Sequence, residues 1–322
     1  MTEIEQQYDV VVVGGGAAGL SGAVALARSR RSVLVVDAGQ PRNAPAAGVH
    51  NYLGREGARP ANLLADGRAE VASYGGSVVP GVVTAVRRED DGDFCVTLDD
   101  GQELAARRLL VATGLVDELP DLPGLAERWG RDVLHCPYCH GWEVRNQPIG
   151  ILASGPTAVH QALLFRQLSD DVVFFRHTGP ELPAEQAEQL TALGVPMIDG
   201  EVTGIEVVDD RLTGVRLASG EVVARSAVVV APWFTARAGV LDALGLAAAD
   251  QEMGGSVVGS AVPADPTGAT AVPGVWVAGN ISDMSAQVVV SAAAGMRAGA
   301  MINADLVAED ARRAVAALAG AR

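Results

Sequence analysis

A glycine-rich turn near the start of the chain limits the possible folds more than any other feature. The apolar run Tyr8–Val13 ends at Gly14-Gly15-Gly16-Ala17-Ala18-Gly19, and the Ala-rich segment Leu20–Arg28 that follows is predicted to be helical. A second apolar run, Ser32–Val36, then ends at Asp37. A G-x-G-x-x-G turn that follows a strand, opens a helix and ends at an acid about twenty residues later is typical of a dinucleotide-binding βαβ unit.

The glycines of this turn have separate tasks. Gly14 permits the tight turn, Gly16 lets a pyrophosphate approach the backbone, and Gly19 lets the helix pack closely on the strand. The helix N-terminus offers free N–H groups to the phosphates, and Asp37 can accept hydrogen bonds from ribose hydroxyls.

A pair of cysteines is the second informative feature. Cys136 and Cys139 form a C-x-x-C motif between His135 and His140, whereas the third cysteine, Cys95, falls on a predicted strand and is expected to be a small buried residue. Two cysteines at this spacing can form and break a disulfide with little backbone movement, which predicts redox chemistry. An imidazole exchanges protons near neutral pH, so His140 or His135 is the expected general base, and the choice between them stays open.

Other uses of the motif fit the sequence less well. C-x-x-C-H also matches the attachment motif of c-type haem, but that use requires export. Zinc could take ligands from the two cysteines and two histidines, yet adjacent Cys and His side chains rarely both reach one tetrahedral ion, so no metal site is predicted. A purely structural disulfide is a further alternative, and Glu143 is a weaker candidate for the base.

Size and composition exclude several classes of function. A chain of 322 residues suggests about two domains. The net charge is −15 and all 24 basic residues are Arg, which argues against nucleic acid and excludes lysine chemistry. No apolar run is long enough to span a membrane, and the acidic segment Met1–Tyr8 does not resemble a signal peptide, so the cytoplasm is the expected location.

The remaining pattern predicts a second nucleotide-type unit inserted into the first. Ile149–Leu152 starts another βαβ pattern after the cysteine pair. The other predicted segments are, in order, a β-meander over Val78–Leu104, a strand and turn over Leu109–Gly114, hairpin strands over Val202–Val230, a strand and turn over Val275–Asn280, and a small-residue helix over Gln287–Leu306.

Together these residues resemble the low-molecular-weight thioredoxin reductase family of FAD-dependent disulfide oxidoreductases. The resemblance covers nearly the whole chain and rests on landmarks in the family's order. They are Gly14–Gly19, Asn51-Tyr52-Leu53-Gly54, Ala112-Thr113-Gly114, the C-x-x-C pair, and Pro273–Asn280 with Gln287.

The resemblance implies an α/β fold of two Rossmann-like domains. A three-layer FAD domain would comprise residues 1–117 and 243–322, and residues 118–242 would form an inserted NAD(P)-type domain that carries the cysteines. By position, Cys139 would face the flavin and Cys136 would exchange with substrate, and homodimers are usual in the family. The residues expected to bind FAD are Gly14, Gly16, Ala17, Ala18, Gly19, Asp37, Ala38, Asn51, Val83, Ala112, Thr113, Gly114, Gly279, Asn280, Gln287 and Val288.

The sequence departs from the family pattern at three places. The second fingerprint reads Ala153-Ser154-Gly155-Pro156-Thr157-Ala158, so its first glycine is an alanine. Phe175-Arg176-His177-Thr178 stands where NADPH-using members place a His-Arg-Arg cluster, which leaves one certain positive charge for a 2′-phosphate. Asn280 replaces the usual Asp, although Asn can still bond a ribityl hydroxyl. These departures weaken the expected NADPH site but not the FAD site.

The same departures resemble a subgroup, the oxygen-using oxidases that close the disulfide of small dithiols such as gliotoxin and holomycin. This resemblance implies that a small-molecule dithiol is oxidised, with O2 as the acceptor and hydrogen peroxide as a product. The alternative is an NAD(P)H-dependent reductase of a thioredoxin-like protein. A flavin-containing binding protein that responds to redox state without turnover is a second alternative.

Overall fold

Residues 6–253 and 255–320 are described in a computed structural model, and their elements follow the predicted order. Residues 1–5, part of the N-terminal segment in which we expect no signal peptide, lie outside the described residues. The helices are α1 (Ala17–Arg28), α2 (Pro60–Ser73), α3 (Leu125–Arg128), α4 (Pro137–His140), α5 (Ala158–Arg166), α6 (Ala184–Ala192) and α7 (Val288–Gly320). Short 3-10 helices cover Gly239–Leu244 and Gly279–Ile281.

The strands are mostly short. They are β1 (Gln7–Val13), β2 (Val33–Asp37), β3 (Ser77–Pro80), β4 (Val83–Arg88), β5 (Phe94–Leu98), β6 (Glu103–Val111), β7 (Leu115–Glu118), β8 (Val133–Leu134), β9 (Ile149–Leu152), β10 (Val172–Phe175), β11 (Met197–Ile198), β12 (Val202–Val208), β13 (Arg211–Leu217), β14 (Val222–Ala224), β15 (Ala227–Val229), β16 (Trp233–Ala236), β17 (Ala249–Met253), β18 (Ser256–Ala261) and β19 (Val275–Val277).

A seven-stranded sheet contains the first nucleotide unit. Its order is β3-β2-β1-β6-β5-β4, and β19 also pairs with β6. The pairs among β1, β2, β3, β6 and β19 are parallel, whereas β4, β5 and β6 pair antiparallel. Since the strands β1, β2, β6 and β19 run in one direction, their carboxyl ends meet along one edge of the sheet, where ligands bind in such folds.

Both faces of this sheet are buried, which explains the continuous apolar runs. Val10 and Val12 of β1 pack among α1, α2 and α7, whereas Val11 and Val13 pack in the opposite cluster with residues of β4, β5 and β6. Side chains alternate across a strand, so a strand covered on both sides needs apolar residues at every position. The sheet therefore has a layer on each face, and the predicted α/β class is confirmed.

The helices α1 and α7 cross with their backbones almost in contact. A Cβ on Gly295 of α7 would lie 1.9 Å from the carbonyl oxygen of Ala18, and one on Gly299 would lie 2.6 Å from that of Gly22. These distances are far below a van der Waals contact, so only glycine fits at either position. The crossing fixes the N-terminal turn of α1, which lies at the functional edge of the sheet.

The inserted segment has its own parallel sheet, with order β11-β10-β9-β15-β8. Helices α5 and α6 contribute to the cluster on one face. The antiparallel sheet β12-β13-β14 contributes Val202, Leu212, Val215 and Leu217 to the cluster on the other face. The chain enters and leaves this segment through β7 and β16, which pair antiparallel in a four-stranded sheet with β17 and β18.

The chain returns to the first core earlier than residue 243. Ala236, Ala238 and Leu241 are buried in the cluster that contains Val11 and Leu109. The expected boundary assigned these three residues to the inserted domain. These contacts place the three residues with the first core, and the division into domains remains a prediction.

Two predicted hairpin regions are corrected by the pairing. Residues of β3 lie within the expected meander but pair parallel with β2, so the antiparallel meander begins at β4. Residues of β15 lie within the expected hairpin strands but pair parallel with β8 and β9. Short β-branched runs have the same local pattern in both kinds of sheet, so the pattern could not distinguish them.

The last helix is longer than predicted, running to Gly320 rather than to Leu306. Its extension is anchored by ion pairs, since Arg107 and Arg108 of β6 both contact Glu309, and Arg31, in the loop before β2, contacts Asp310 at 2.7 Å. In the described residues no helix combines the length and the apolar character required to cross a membrane.

We expect Gly295→Ala to destabilise the protein and Gly67→Ala to be nearly neutral. Both substitutions gain the same helix propensity, but the new methyl group at 295 meets a backbone oxygen at 1.9 Å, whereas the one at 67 meets the flexible end of Leu20 at 3.0 Å. Overpacking of this kind costs about 1–3 kcal/mol. Urea unfolding of both variants measures the difference, and equal midpoints would contradict the close-crossing argument.

Candidate active site

A cavity of about 1130 Å³ opens at the carboxyl edge of the seven-stranded sheet and extends to the cysteine pair. Its wall includes the β1–α1 turn, Asp37 after β2, Ala112-Thr113-Gly114 after β6, and Gly279-Asn280 after β19. Pockets for small ligands measure roughly 300–1,000 Å³. The cavity is therefore large enough for a sizeable cofactor together with a small substrate.

The β1–α1 turn provides an open backbone surface. Gly14 has φ +104°, and a Cβ there would lie 2.6 Å from the carbonyl oxygen of Ala112. At Gly16, by contrast, a Cβ would meet no atom within 4 Å, and no side chain caps the N-terminus of α1. Free N–H groups beside an open backbone are what a pyrophosphate requires. The turn thus fits a dinucleotide by its own geometry.

Asp37 is held at the end of β2 by two backbone groups. Its Oδ1 accepts hydrogen bonds from the N–H groups of Gly15 and Gly39, both at 3.2 Å. Its Oδ2 lies 3.9 Å from Nη1 of Arg68. One oxygen is therefore used to fix the carboxylate, and the other can accept from a ribose.

Most of the residues expected to bind FAD line this cavity. They are Gly14, Gly16, Ala17, Ala18, Asp37, Ala38, Val83, Ala112, Thr113, Gly114, Gly279, Asn280, Gln287 and Val288. These residues come from six separate segments of the sequence and line one cavity, so the structure brings them together.

Two of the residues expected to bind FAD, Gly19 and Asn51, are not among the described residues that line the cavity, and their contact with the cofactor stays a prediction. Gly19 serves packing, because a Cβ there would lie 1.9 Å from the carbonyl oxygen of Gly14. Asn51, at φ +58°, donates from Nδ2 to the carbonyl oxygen of Tyr138 at 2.6 Å. Asn51 therefore holds the loop between the two cysteines.

Asn280 is bonded to protein groups on both sides of its amide. Its Oδ1 accepts from Nη1 of Arg42 at 3.1 Å, and its Nδ2 donates to the carbonyl oxygens of Asp283 and Ala286, both at 2.9 Å. Arg42 also makes a two-point ion pair with Asp117 at 2.5 and 2.8 Å. In this structure Asn280 anchors Arg42, and it retains only the second lone pair of Oδ1 for a ligand.

Sequence reasoning missed Arg42, although it lines the cavity. Its guanidinium lies 5.4 Å above the ring of Phe234, whose ring in turn contacts His135 edge-on at 5.2 Å. The partners of Arg42 come from distant parts of the chain, so no local spacing could have indicated them.

The cysteine pair is held at the start of α4. Cys136 is the N-cap residue, and Pro137 occupies the first helical position, where its fixed φ favours the helix. Sγ of Cys139 donates to Sγ of Cys136 at 2.8 Å. The helical turn therefore places the two sulfurs in contact.

This contact makes the two thiols unequal. The hydrogen bond from Cys139 is the largest influence that lowers the pKa of Cys136 to about 7, and backbone N–H groups and Arg42 lower it further against the effect of burial. The pKa of Cys139 is raised, because its proton is held by the Cys136 sulfur and because it is buried. In the reduced pair Cys136 is thus the thiolate, the reactive form of cysteine.

Both histidines that flank the pair line the cavity, and burial lowers the pKa of each below the ordinary value. They are therefore neutral at pH 7 and able to accept a proton. Nδ1 of His135 lies 3.2 Å from the carbonyl oxygen of Val230. Nε2 of His140 is buried without a hydrogen-bond partner. Glu143, the weaker candidate, lies 3.4 Å from Nε2 of His50.

Polar side chains of the second fingerprint and of the segment that follows β10 have partners within the protein. Oγ of Ser154 accepts from the N–H of Ala231 at 3.1 Å. Arg176 pairs with Asp199 at 3.3 Å, and Nδ1 of His177 accepts from the N–H of Val202 at 3.0 Å. The one certain positive charge near a 2′-phosphate site is thus already paired.

Metal ligation and the third cysteine are the other features that bear on reactivity in the described residues. Among residues 6–253 and 255–320, no group of three or more His, Cys, Asp or Glu side chains is arranged to hold a metal ion. Cys95 is buried on β5, and its burial raises the pKa of its thiol.

Comparison with known proteins identifies relatives over nearly the whole chain. The profile of the family described as pyridine nucleotide-disulphide oxidoreductase matches residues 8–297. The chain is 30% identical over 311 residues to thioredoxin reductase tcpT of Claviceps purpurea, covering 94% of this chain and 95% of that protein.

Solved structures give the same result for the fold. The crystal structure of HlmI is 49% identical, with a TM-score of 0.91 and coverage of 98% of both chains. That of an oxidoreductase from Agrobacterium tumefaciens is 33% identical, with a TM-score of 0.86 and coverage of 94% of this chain and 99% of that one.

Substitutions at Gly16 and Gly19 of the β1–α1 turn are expected to have different effects on FAD binding and stability. We expect Gly16→Val to fold but to lose FAD, because its side chain would enter open space where the pyrophosphate approaches the backbone. We expect Gly19→Ala to lose both FAD and stability, because its Cβ would clash with backbone at 1.9 Å. Flavin absorbance per mole of protein and the Tm measure the two effects. Retention of a full flavin complement by Gly16→Val would contradict the assignment of the pyrophosphate to the backbone at Gly16.

Proposed function

This chain belongs to the pyridine nucleotide-disulphide oxidoreductase family, and from that premise we propose that it oxidises a small dithiol to an intramolecular disulfide with oxygen as the acceptor. The coarser assignment is established: the chain is a flavin-dependent disulfide oxidoreductase of the thioredoxin reductase type, with FAD as its cofactor. The resemblance drawn from the sequence landmarks is thereby confirmed.

Residues of the carboxyl edge are suited to hold the FAD. We assign the pyrophosphate to the backbone at Gly16 and the N-terminus of α1, the ribose to Asp37, and the rest of the cofactor to the wall formed by Thr113 and Gly279. Bound FAD supplies a two-electron acceptor that oxygen can reoxidise, with release of hydrogen peroxide. The chain itself supplies the thiol exchange.

The exchange begins from the oxidised cysteine pair. A neutral histidine accepts the proton of a substrate thiol, and the resulting thiolate attacks Sγ of Cys136. A substrate–Cys136 disulfide forms while the bond between Cys136 and Cys139 breaks, and Cys139 leaves as a thiolate. The Cys139 thiolate takes the proton of the second substrate thiol, whose sulfur then attacks the substrate sulfur of the mixed disulfide. Cys136 leaves as a thiolate, which releases the substrate disulfide and the reduced pair.

One observation carries the choice of oxidase over reductase. The Arg176–Asp199 ion pair engages the one arginine of Phe175–Thr178, the segment that stands where NADPH-using relatives bind a 2′-phosphate. His177 is also engaged through Nδ1. An enzyme reduced by its thiol substrate needs no nicotinamide nucleotide, so the altered second fingerprint has no cost for an oxidase.

A reductase of a thioredoxin-like protein is the second candidate. It is favoured by the position of Ser154, Gly155 and Thr157, which line the same cavity as the cysteines. A redox-responsive binding protein without turnover is less consistent with the site, because lowering the pKa of Cys136 to about 7 activates it for exchange.

We also propose the domain division, the location and the assembly that the sequence suggested. The pairing of β7 with β16 supports an inserted domain between them. A C-x-x-C pair that cycles during turnover is suited to the cytoplasm. A homodimer is the expected assembly, and sedimentation of the holoenzyme measures it.

An anaerobic visible spectrum decides the direction of electron flow. We expect the flavin to stay oxidised with NADPH and NADH, to bleach with dithiothreitol, and to recover in air with formation of hydrogen peroxide. The Cys139→Ser variant is the control, since it should retain FAD but fail to bleach with the dithiol. Bleaching of the wild type by NADPH would support the reductase, and no bleaching by any reagent would support the binding protein.

The pH dependence of alkylation tests the unequal thiols. In the reduced protein we expect iodoacetamide to react with Cys136 with a midpoint near the pKa of about 7, with the rate rising as pH increases and the thiolate forms. Cys139→Ala removes the principal hydrogen-bond donor and should move the midpoint to higher pH. Cys95→Ser in both proteins removes the unrelated thiol. An unchanged midpoint in Cys139→Ala would contradict the assignment.

A further inference from the structure

Gln161 of α5 is a buried polar residue beside the cysteine motif, with only 3% of its surface exposed. Its amide nitrogen lies 3.1 Å from the carbonyl oxygen of His135 and 3.3 Å from that of Val230. The same nitrogen lies 3.0 Å from Nδ1 of His135. A buried amide nitrogen is costly unless it is hydrogen-bonded, so these contacts hold the backbone and the ring of His135 in one place, whereas Oε1 of Gln161 is buried without a partner.

The two carbonyl groups determine which ring nitrogen carries the proton. A carbonyl oxygen only accepts, and that of Val230 lies 3.2 Å from Nδ1 of His135. If Nδ1 carries the proton, it donates to Val230, and the two amide hydrogens of Gln161 go to the two carbonyls. If Nδ1 lacked the proton, its lone pair would face the Val230 oxygen. The first arrangement gives a hydrogen to both carbonyl oxygens, although it leaves Oε1 of Gln161 without a partner and places two donors, Nδ1–H and the amide nitrogen, 3.0 Å apart. Because it avoids the contact of two lone pairs at Val230, the geometry favours the Nδ1–H tautomer with a basic Nε2.

The free nitrogen of His135 is open to the cavity, unlike that of His140. In the ranges that the structure describes, Nε2 of His140 is enclosed without a partner, whereas Nε2 of His135 is neither hydrogen-bonded nor among such enclosed atoms. His135 lines the cavity and directly precedes Cys136. The charged groups that face it, Arg42 and Asp117, form an ion pair with no net charge.

We propose that His135 is the base for the substrate thiol and that Gln161 is its positioning residue, holding with Val230 the tautomer whose Nε2 accepts the proton. This inference rests on the proposed thiol oxidation. In the step, the substrate S–H bond breaks, an N–H bond forms at Nε2, and the electron pair left on sulfur attacks Cys136. Gln161 exchanges no proton and touches no reacting atom.

The tautomer can be observed directly in the oxidised holoenzyme. The chain has 5 histidines, so long-range proton–nitrogen correlation spectra of isotope-labelled protein are resolvable, and His135→Gln identifies the signal of His135. We expect the wild type to show the Nδ1–H tautomer at this residue. The Nε2–H tautomer in the wild type would overturn the proposal, and this measurement needs no Gln161 variant that folds.

Rapid-mixing measurements of flavin reduction by dithiothreitol test the roles. General bases contribute on the order of 10²–10⁴-fold, so we expect that loss in His135→Gln. We expect a loss of about tenfold or more, with appearance of the second tautomer, in Gln161→Leu. Gln167→Leu, an exposed position just after the same helix, is the matched control and should reduce at the wild-type rate.

The outcomes separate this inference from the proposed function. If His140→Gln loses the rate while His135→Gln retains it, His140 is the base and the inference fails. If Gln161→Leu keeps both rate and tautomer, Gln161 has no positioning role and the inference also fails. If the flavin of the wild type is reduced by NADPH but not by the dithiol, the proposed function fails. The histidine spectrum of the wild type does not depend on that result, so the two failures can be distinguished.

Discussion

The close approach of backbones around the first turn of α1 is the constraint on which the rest of the structure depends. Gly19 packs against the carbonyl of Gly14, and Gly295 packs against that of Ala18. A side chain at either position would push α1 away from β1 or from α7. With these contacts in place, the open backbone at Gly16 lies at the carboxyl edge of the sheet, beside the ends of the neighbouring strands. The cofactor cradle, the open backbone at Gly16 with the N-terminus of α1, therefore depends on backbone packing that only glycine allows at positions 19 and 295.

Arg42 links this cradle to the cysteine pair. It bonds Asn280 near the end of β19 and pairs with Asp117 on β7, the strand that enters the inserted segment. Only 7% of the Asp117 side chain is exposed, and breaking a buried ion pair leaves an uncompensated charge in a medium that solvates it poorly. Arg42 also favours the Cys136 thiolate. The same side chain thus connects the two parts of the site and contributes to its electrostatics.

Different environments give the nucleophile and the base different protonation states. Contact between the sulfurs and backbone N–H groups lowers the pKa of Cys136, whereas burial lowers the pKa of His135 and His140 and keeps both imidazoles neutral. A thiolate and a neutral imidazole can therefore coexist near pH 7. The enclosure of His135 is provided by Gln161 of α5 and by Phe234, which come from the inserted segment and from the strand that leaves it.

The sequence by itself determined the α/β class, the dinucleotide turn and the redox pair, because each depends on residues that are neighbours in the chain. Glycine spacing indicates a turn, a continuous apolar run indicates a buried strand, and C-x-x-C places two sulfurs on one helical turn. Tertiary structure alone decided which residues surround them: Arg42 and Gln161 act through partners far away in sequence, Asn51 bonds the backbone of Tyr138, and β3 and β15 pair parallel with their neighbours. Local patterns do not record long-range contacts, because the chain brings those groups together only when the layers pack.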